Sequence, residues 1–580
     1  MRKLLRYLKG YRKESVLAPL FKMLEATFEL IVPLVVTQII DVGIGTGNTP
    51  YIWKMCGVMV LLGVVGLVCS LTAQYFSARA AMGFSTALRE DLFAHINRLS
   101  YRELDILGTP TLVTRITNDV NQAQTGVNLV LRLFLRSPFL VVGAVIMAFT
   151  IDPKTAILFL IAVPLISLVI YWIMKSTVPI YKQVQKLLDR ISLLTRENHV
   201  GARVVRAFCR QEEETEDFSR ENEEYTRIQI EAGKISALLN PATCVIMNLA
   251  IIGILWVGSR QVDSGALTQG EVVALVNYMT QILLALLALA NLIVAVTKAT
   301  ASGIRLNEVF DTYPSLTETT AETLSDRRKK GSPRVEFQDV TFTYANGQEP
   351  ALSHIDFRAR PGETIGIIGG TGCGKSTLVH LIPRFYDVNQ GKVLVDGIPA
   401  EEYSFKELRT KVGMVPQHAV LFKGTIRDNM KWGKEDATEE EIWKALETAQ
   451  AREFVEAKPE KLDTMISQGG TNLSGGQRQR LTIARALVGN PEILILDDSA
   501  SALDFATDAA LRRAVSRLEG EMTVFIVSQR AASIRQADQI LVLDDGKLQG
   551  KGTHKELMEN CPVYREICLS QLSEKEVNRS

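Results

Sequence analysis

Six long apolar runs crowd the first 300 or so residues, a polar stretch without apolar period follows them, and a glycine-rich loop falls between a strand pattern and a helix pattern in the second half. These observations predict an α-helical six-span transmembrane domain followed by an α/β domain of the P-loop NTPase class. At roughly 100–200 residues per domain, 580 residues are too many for one. The transmembrane domain, with long cytoplasmic extensions, is placed at 1–311, a linker at 312–333 and the second domain at 334–580.

A bilayer core takes about 20 mainly apolar residues as a helix. Runs at roughly 52–78, 129–151, 155–174, 237–258 and 271–297 have that length, and a sixth, roughly 16–40, qualifies despite Lys22, Glu25 and Glu29. Any one of them fits a buried core helix; six together do not. Lys and Arg set the orientation. The first fourteen residues carry six basic side chains, 175–236 carry eleven, and 79–128 is rich in arginine. By contrast 41–51 has none and 259–270 only Arg260. Both termini and the two long connections are therefore expected in the cytoplasm. Rich in helix formers and poor in Pro and Gly, these connections read as helical extensions reaching roughly 40 Å below the membrane. They are expected to reverse near 107–110 and 207–214, and such tips can touch a cytoplasmic motor.

Within the spans Gln38, Gln74, Asn248, Asn277, Gln281 and Asn291 need either interhelical partners or a cavity. Glu25 and Glu29, one turn apart, either line a cavity for cationic cargo or sit near the cytoplasmic interface. Pro33, Pro138, Pro164 and Pro241 are predicted to kink their helices. The basic start, 1–14, lacks the short apolar stretch and cleavage site of a signal peptide and reads as a helix on the inner membrane face. A net charge of +1 gives no argument for a nucleic-acid partner. The seven cysteines are scattered, without metal-ligand spacing, as free thiols in a reducing compartment would be.

Gly369, Gly370, Thr371, Gly372, Cys373, Gly374, Lys375, Ser376 and Thr377 fit G-x-x-x-x-G-K-[ST], directly after the apolar strand 364–368. In that setting glycines let backbone N–H groups wrap the phosphates of ATP, Lys375 reaches the β/γ-phosphates, and the Ser376 hydroxyl ligates Mg²⁺. Cys373 stands beside a helix N-terminus and a lysine, and its thiol is expected to be accessible to maleimide and protected by ATP. Ile493–Leu496 is a buried strand ending at Asp497, the position from which a P-loop NTPase holds its metal.

Between these two motifs lies Leu473-Ser474-Gly475-Gly476-Gln477. It resembles, without a mismatch, the signature of ABC ATPases. A Ser and two glycines opening a helix present a hydroxyl, backbone donors and a dipole to an anion. The resemblance implies that this anion is the γ-phosphate of an ATP held by a second ATPase domain, so that two ATP molecules lie between two domains head to tail. It extends to Tyr344 as the aromatic residue that stacks on adenine, and to Gln417 as the Q-loop residue that touches Mg²⁺ and senses the membrane domain. Asp504, in 501–504, resembles the loop joining the two sites, and Gln529 holds the switch position. Six helices before one ATPase domain, with Thr-Arg-Ile-Thr-Asn-Asp-Val at 114–120, is similar to ABC exporter half-transporters of bacteria and organelles.

Two positions depart from that family. The residue after the metal aspartate, normally the glutamate that orients the attacking water, is Asp498, whose carboxylate is withdrawn by about 1.5 Å. The switch residue, normally histidine, is Gln529, which donates a hydrogen bond but carries no proton or charge. With P-loop and signature intact, the pair implies a site that binds ATP and hydrolyses it slowly. That pattern resembles one subunit of the heterodimeric bacterial exporters, several of them multidrug pumps. The implied partner is a second half-transporter with Glu and His in place, in the inner membrane of a bacterium, with the N-terminus and ATPase domain cytoplasmic. The expected activity is ATP-driven alternating access that exports a hydrophobic or amphipathic cargo; drugs, lipids and peptides all remain open. A homodimer with two slow sites and a non-transporting ATP-binding regulatory subunit are the rival readings. A soluble DNA-associated ABC ATPase is excluded by the six spans.

Overall fold

The computed structural model describes residues 2–318, 331–345, 347–499, 502–518 and 521–571. The middle of the expected linker, 319–330, and Ser501 of the 501–504 loop lie outside the described residues. The chain divides into two compact units, Met1–Asn97 with Pro110–Thr312, and Arg98–Thr109 with Tyr313–Ser580.

Among the described residues six helical stretches are long and apolar enough to cross a membrane: Lys3–Ile44, Thr49–Ile96, Thr109–Ile151, Pro153–Ala207, Gln211–Asp263 and Gln269–Phe310. Each apolar run of the sequence falls inside one of them. Their elements are α1 (Arg12–Gln38), α2 (Thr49–Ile96), then the short α3 (Tyr101–Leu107) and α4 (Thr109–Thr114). After these come α5 (Val120–Leu133), α6 (Arg136–Ile151), α7 (Pro153–Ala207), α8 (Gln211–Ala237), α9 (Leu239–Asp263) and α10 (Gln269–Phe310). With 48 and 55 residues, α2 and α7 are roughly 70 and 80 Å long, well beyond a core of about 30 Å. The reversals fall at Gly108, with φ +75°, and at 208–210, where Cys209 has φ +54°.

The four prolines behave differently from one another. Pro138 cannot donate to the carbonyl of Phe134, and the helix breaks at 134–135 between α5 and α6. Pro241 likewise leaves Ala237 without its donor, and α8 ends there. By contrast α1 and α7 run on through Pro33 and Pro164. At Pro33 the reason is visible. The Glu29 carbonyl, four residues back, accepts instead from Gln281 Nε2 at 3.2 Å, and the neighbouring Leu30 carbonyl accepts from the Tyr278 hydroxyl at 2.7 Å. Helix α10 thus replaces the donor that proline lacks. Tyr278→Phe is expected to lower the stability of the membrane unit by about 0.5–2 kcal/mol, the range of interhelical hydrogen bonds in lipid, as read from reversible unfolding in bicelles.

The two intramembrane glutamates are both ion-paired. Lys22 Nζ lies 2.5 Å from Glu25 and donates to Ser70 Oγ at 3.1 Å, while Arg136 Nη2 reaches both Glu29 oxygens at 2.8 Å. Neither carboxylate is a bare site for a cation, because each already has one from the same subunit.

The second unit contains β1 (Val335–Phe342), β2 (Leu352–Ala359), β3 (Thr364–Gly369), β4 (Gln390–Val395), β5 (Ile398–Pro399) and β6 (Val412–Val415). The pair β7 (Gly424–Thr425) and β8 (Met465–Ile466) follows, then β9 (Ile493–Asp497), β10 (Thr523–Val527), β11 (Gln539–Asp544) and β12 (Lys547–Gly552). An antiparallel sheet has the order β2-β1-β4-β5; the main sheet has the order β12-β11-β3-β10-β9-β6 and is parallel except for β12. Its inner strands β11, β3, β10 and β9 are largely apolar because both faces are covered, whereas the edge strand β12 is polar and partly exposed. Ile365 and Ile367 of β3 pack with Phe357 and Phe525, and Ile368 packs in the opposite core with Leu494 and Ile526. Register pairs Val527 with both Ile367 and Asp497, so β3, β10 and β9 end along one edge, where an open α/β sheet binds its ligands.

Candidate functional site: a phosphate cradle at the strand ends

The loop after β3 turns on glycines into α11 (Lys375–Leu381). Gly374 has φ +97°, and a Cβ there would meet the Ala351 carbonyl at 2.7 Å and Leu352 at 2.8 Å, so no other residue fits. Gly370, Thr371 and Gly372 are exposed, and nothing lies within 4 Å of a Cβ built on Gly370 or Gly372. Lys375 is buried; its ammonium donates to the Gly369 and Gly370 carbonyls at 3.0 and 2.6 Å. Cys373 corrects the expectation drawn from sequence. Its thiol is buried, 3.7 Å from Lys375 Nζ, where a side chain on Gly369 would strike it. Only its backbone is left to face a phosphate, and maleimide has no access in this conformation.

At the end of β9, Asp497 Oδ1 accepts from Ser376 Oγ at 2.9 Å, and His380 Nε2 stands 3.7 Å from Oδ2. His380 is four residues after Ser376 on the same helix face, a spacing readable in the sequence but overlooked there. Burial pushes the Asp497 carboxyl above the usual range, although Ser376, His380 and Lys375 pull it back. Asp498 is also raised, first by burial and then by Asp497, against Lys375, Arg530 and Gln417. Two adjacent carboxylates short of positive charge are what a divalent cation would relieve, so these residues fit Mg²⁺. Asp498 leaves the strand with φ +45°, its N–H bonded to the Val527 carbonyl at 3.0 Å. Gln417, exposed, donates to Asp498 Oδ2 at 3.4 Å. Gln529 is exposed two residues beyond β10.

Tyr344 is half-buried beside the P-loop, its hydroxyl 3.0 Å from Thr377 Oγ1. Tyr386 meets its ring edge-on at 5.3 Å and donates its own hydroxyl to Asp105 of α3 at 2.7 Å. Tyr101 of α3 stacks obliquely on Phe385 at 4.6 Å. These contacts of α3 join residues almost 300 positions apart, and no local signal in the sequence announces them.

Ser474 caps the helix Gly475–Val488. Its Oγ accepts from Gln477 N at 3.3 Å, and the Gln477 side chain accepts from Ser474 N at 3.1 Å. The hydroxyl proton is still available to donate to an anion. A Cβ on Gly475 would meet nothing within 4 Å, and one on Gly476 would lie 3.4 Å from the Ala502 carbonyl. Asp504 caps the next helix, Phe505–Val515, through Thr507 N and Oγ1 at 2.9 and 2.8 Å. Tyr344, the P-loop, Gln417, Asp497 and Asp498 thus gather at one place, whereas the signature residues bond among themselves and lie beside the 502–504 loop.

A parallel sheet with this strand order, a phosphate cradle and a capped Ser-Gly-Gly helix start define an ATPase domain of the ABC class, here carried behind six membrane helices. The chain belongs to the ABC transporter family. The family model "ABC transporter transmembrane region" matches residues 15–286, and the model "ABC transporter" matches 352–501. A Mycobacterium tuberculosis protein described as an uncharacterized ABC transporter ATP-binding protein is 38% identical over 97% of both chains. Bacillus subtilis YfiB, described in the same way, is 37% identical over 98% of both. An "ATP-dependent lipid A-core flippase" of Chromobacterium violaceum is 31% identical over 100% of this chain and 98% of its own. A bacterial Atm1-family ABC exporter solved with ATP bound superposes with a TM-score of 0.80 at 24% identity, covering 97% of this chain and 99% of that one. The protein is an integral membrane half-transporter with the ABC exporter fold, its ATPase domain coupled to transport, and ABC exporters work as dimers.

Proposed function

We propose that this chain is the subunit carrying the degenerate site of a heterodimeric exporter in a bacterial inner membrane, with its N-terminus and ATPase domain in the cytoplasm. The observation that carries this reading is the pairing of Asp498 with Gln529 at the strand ends, beside an otherwise complete cradle. Gly369, Gly370, Thr371, Gly372, Cys373 and Gly374 offer backbone to ATP, Lys375 its charge, Thr377 a hydroxyl on Tyr344, and Tyr344 a ring for adenine. Ser376, Asp497 and Gln417 hold Mg²⁺, which when bound neutralises developing phosphate charge. Asp498 orients the attacking water from too short a reach, and Gln529 holds a phosphate oxygen without a proton to move. Ser474, Gly475, Gly476 and Gln477 complete the partner's site, with Asp504 at the junction. Closing and reopening the paired ATPase domains switches the membrane cavity between inward and outward access.

The cargo proposed is hydrophobic or amphipathic. An apolar groove of about 480 Å³ between α7 and α10, lined by Ile170, Tyr171, Met174, Leu286 and Ile293, supports that class, as does the name of the lipid A-core flippases among the relatives. The test is to purify the tagged chain from the membranes that make it and to identify what copurifies, then to assay ATP-driven uptake of a fluorescent amphiphile into inside-out vesicles. A second half-transporter at 1:1, needed for uptake, is expected. A dimer of this chain alone that transports would sink the heterodimer, and ATP binding without uptake in any pairing would favour a regulatory subunit.

A further inference from the structure

The carboxamide of Gln571 holds the loop that carries Gln529 on both sides. Gln571 Nε2 donates to the Gln529 carbonyl at 2.8 Å, and Gln571 Oε1 accepts from the Ala531 N–H at 2.9 Å. The rest of the loop is tied elsewhere. Ser528 N donates to the Ile367 carbonyl of β3 at 3.1 Å, Arg530 N donates to Ser528 Oγ at 3.0 Å, and the Arg530 guanidinium lies over the Phe505 ring at 4.9 Å. The peptide between Gln529 and Arg530 is thereby fixed, and with it the root of the Gln529 side chain. The clamp itself stands on a fixed base. The helix Pro562–Gln571 buries Tyr564 and Cys568, and the Tyr564 hydroxyl is 2.8 Å from His554 Nδ1. Gln571 continues that stripe one turn further on.

We infer that Gln571 is a positioning residue for the switch, setting Gln529 for the γ-phosphate from the last described helix of the chain. This rests on the reading of Gln529 as the switch residue. Only a primary amide of this length satisfies both bonds. Glutamate keeps the acceptor for Ala531 N–H but turns a carboxylate oxygen on the Gln529 carbonyl, and asparagine is one methylene short.

The experiment compares full-length transporter carrying Gln571→Ala, Gln571→Glu or Gln529→Ala, and the Gln571→Glu/Gln529→Ala pair. Hydrogen exchange is read at Ala531. ATP hydrolysis at this chain's P-loop is read with the opposite site disabled if the partner is a different subunit. The Ala531 amide is expected to exchange about tenfold faster in Gln571→Ala, through loss of its acceptor. Gln571→Glu should lower kcat about tenfold, with KM for ATP and Tm unchanged, and should add nothing to Gln529→Ala. Unaltered exchange at Ala531 would overturn the clamp. Faster exchange with kcat intact, while Gln529→Ala lowers kcat, would overturn the positioning role and leave Gln529 as the switch. Intact kcat in all the variants would overturn both readings together.

Discussion

Replacing Gly476 by aspartate is expected to cut ATP turnover of the assembled transporter by about 10²-fold or more, whereas Lys375→Ala should leave a substantial fraction of it. In the proposed assembly Gly476 serves the partner's site, which does most of the hydrolysis, and Lys375 serves the slow one. An aspartate at a helix start that must receive a γ-phosphate sets like charge against like in a water-poor interface. Folding does not supply the effect. A Cβ at 476 would lie at ordinary contact distance from Ala502 and Leu503, 3.4 and 3.9 Å away, so Gly476→Ala is a fair control and should lose far less. Steady-state rates of the purified complexes decide the matter. Equal, near-complete loss from Lys375→Ala and Gly476→Asp would point to two equivalent or tightly coupled sites. Survival of Gly476→Asp with loss in Lys375→Ala would reverse the assignment of labour.

The combination Asp498→Glu with Gln529→His is expected to raise hydrolysis at this chain's own site by about 10–100-fold. Restoring one methylene lets the carboxylate reach a water that Asp498 falls short of, and histidine restores a group that holds phosphate and shuttles protons. The rates should be measured with the partner's catalytic glutamate disabled; no gain over that background would place the weakness elsewhere, such as in the partner's signature.

The sequence makes legible what depends on short stretches. Hydropathy located every span because each lipid-facing residue contributes on its own, and the cradle from Gly369 to Thr377 could be read because its spacing is its mechanism. Legibility failed where a residue's behaviour is decided by something far along the chain. Pro33 and Pro241 look alike as letters, yet one is bridged by donors from α10 and the other ends a helix. Glu29 reads either as a contact for cationic cargo or as an interfacial residue, and its partner Arg136 is 107 positions away, whereas Lys22 and Glu25 pair at a spacing of three that the sequence does show. Cys373 was read from its neighbours in sequence, while its burial follows from how the loop folds back under Lys375. The bonds from Gln571 to the switch loop span some 40 residues and have no motif.

Pro33 in α1 has a consequence for motion. Carbonyls that a helix bonds internally travel with it wherever it goes, but that of Glu29, to which Pro33 offers no N–H, has borrowed its donor from Gln281. Sliding α1 along α10, or parting them, would leave polar oxygen facing hydrocarbon, at a cost of several kcal/mol per group. The two helices are therefore expected to travel as a single strut. Bending within the membrane unit is left to places where the backbone is already interrupted, such as 134–135 before α6 and 238 before α9.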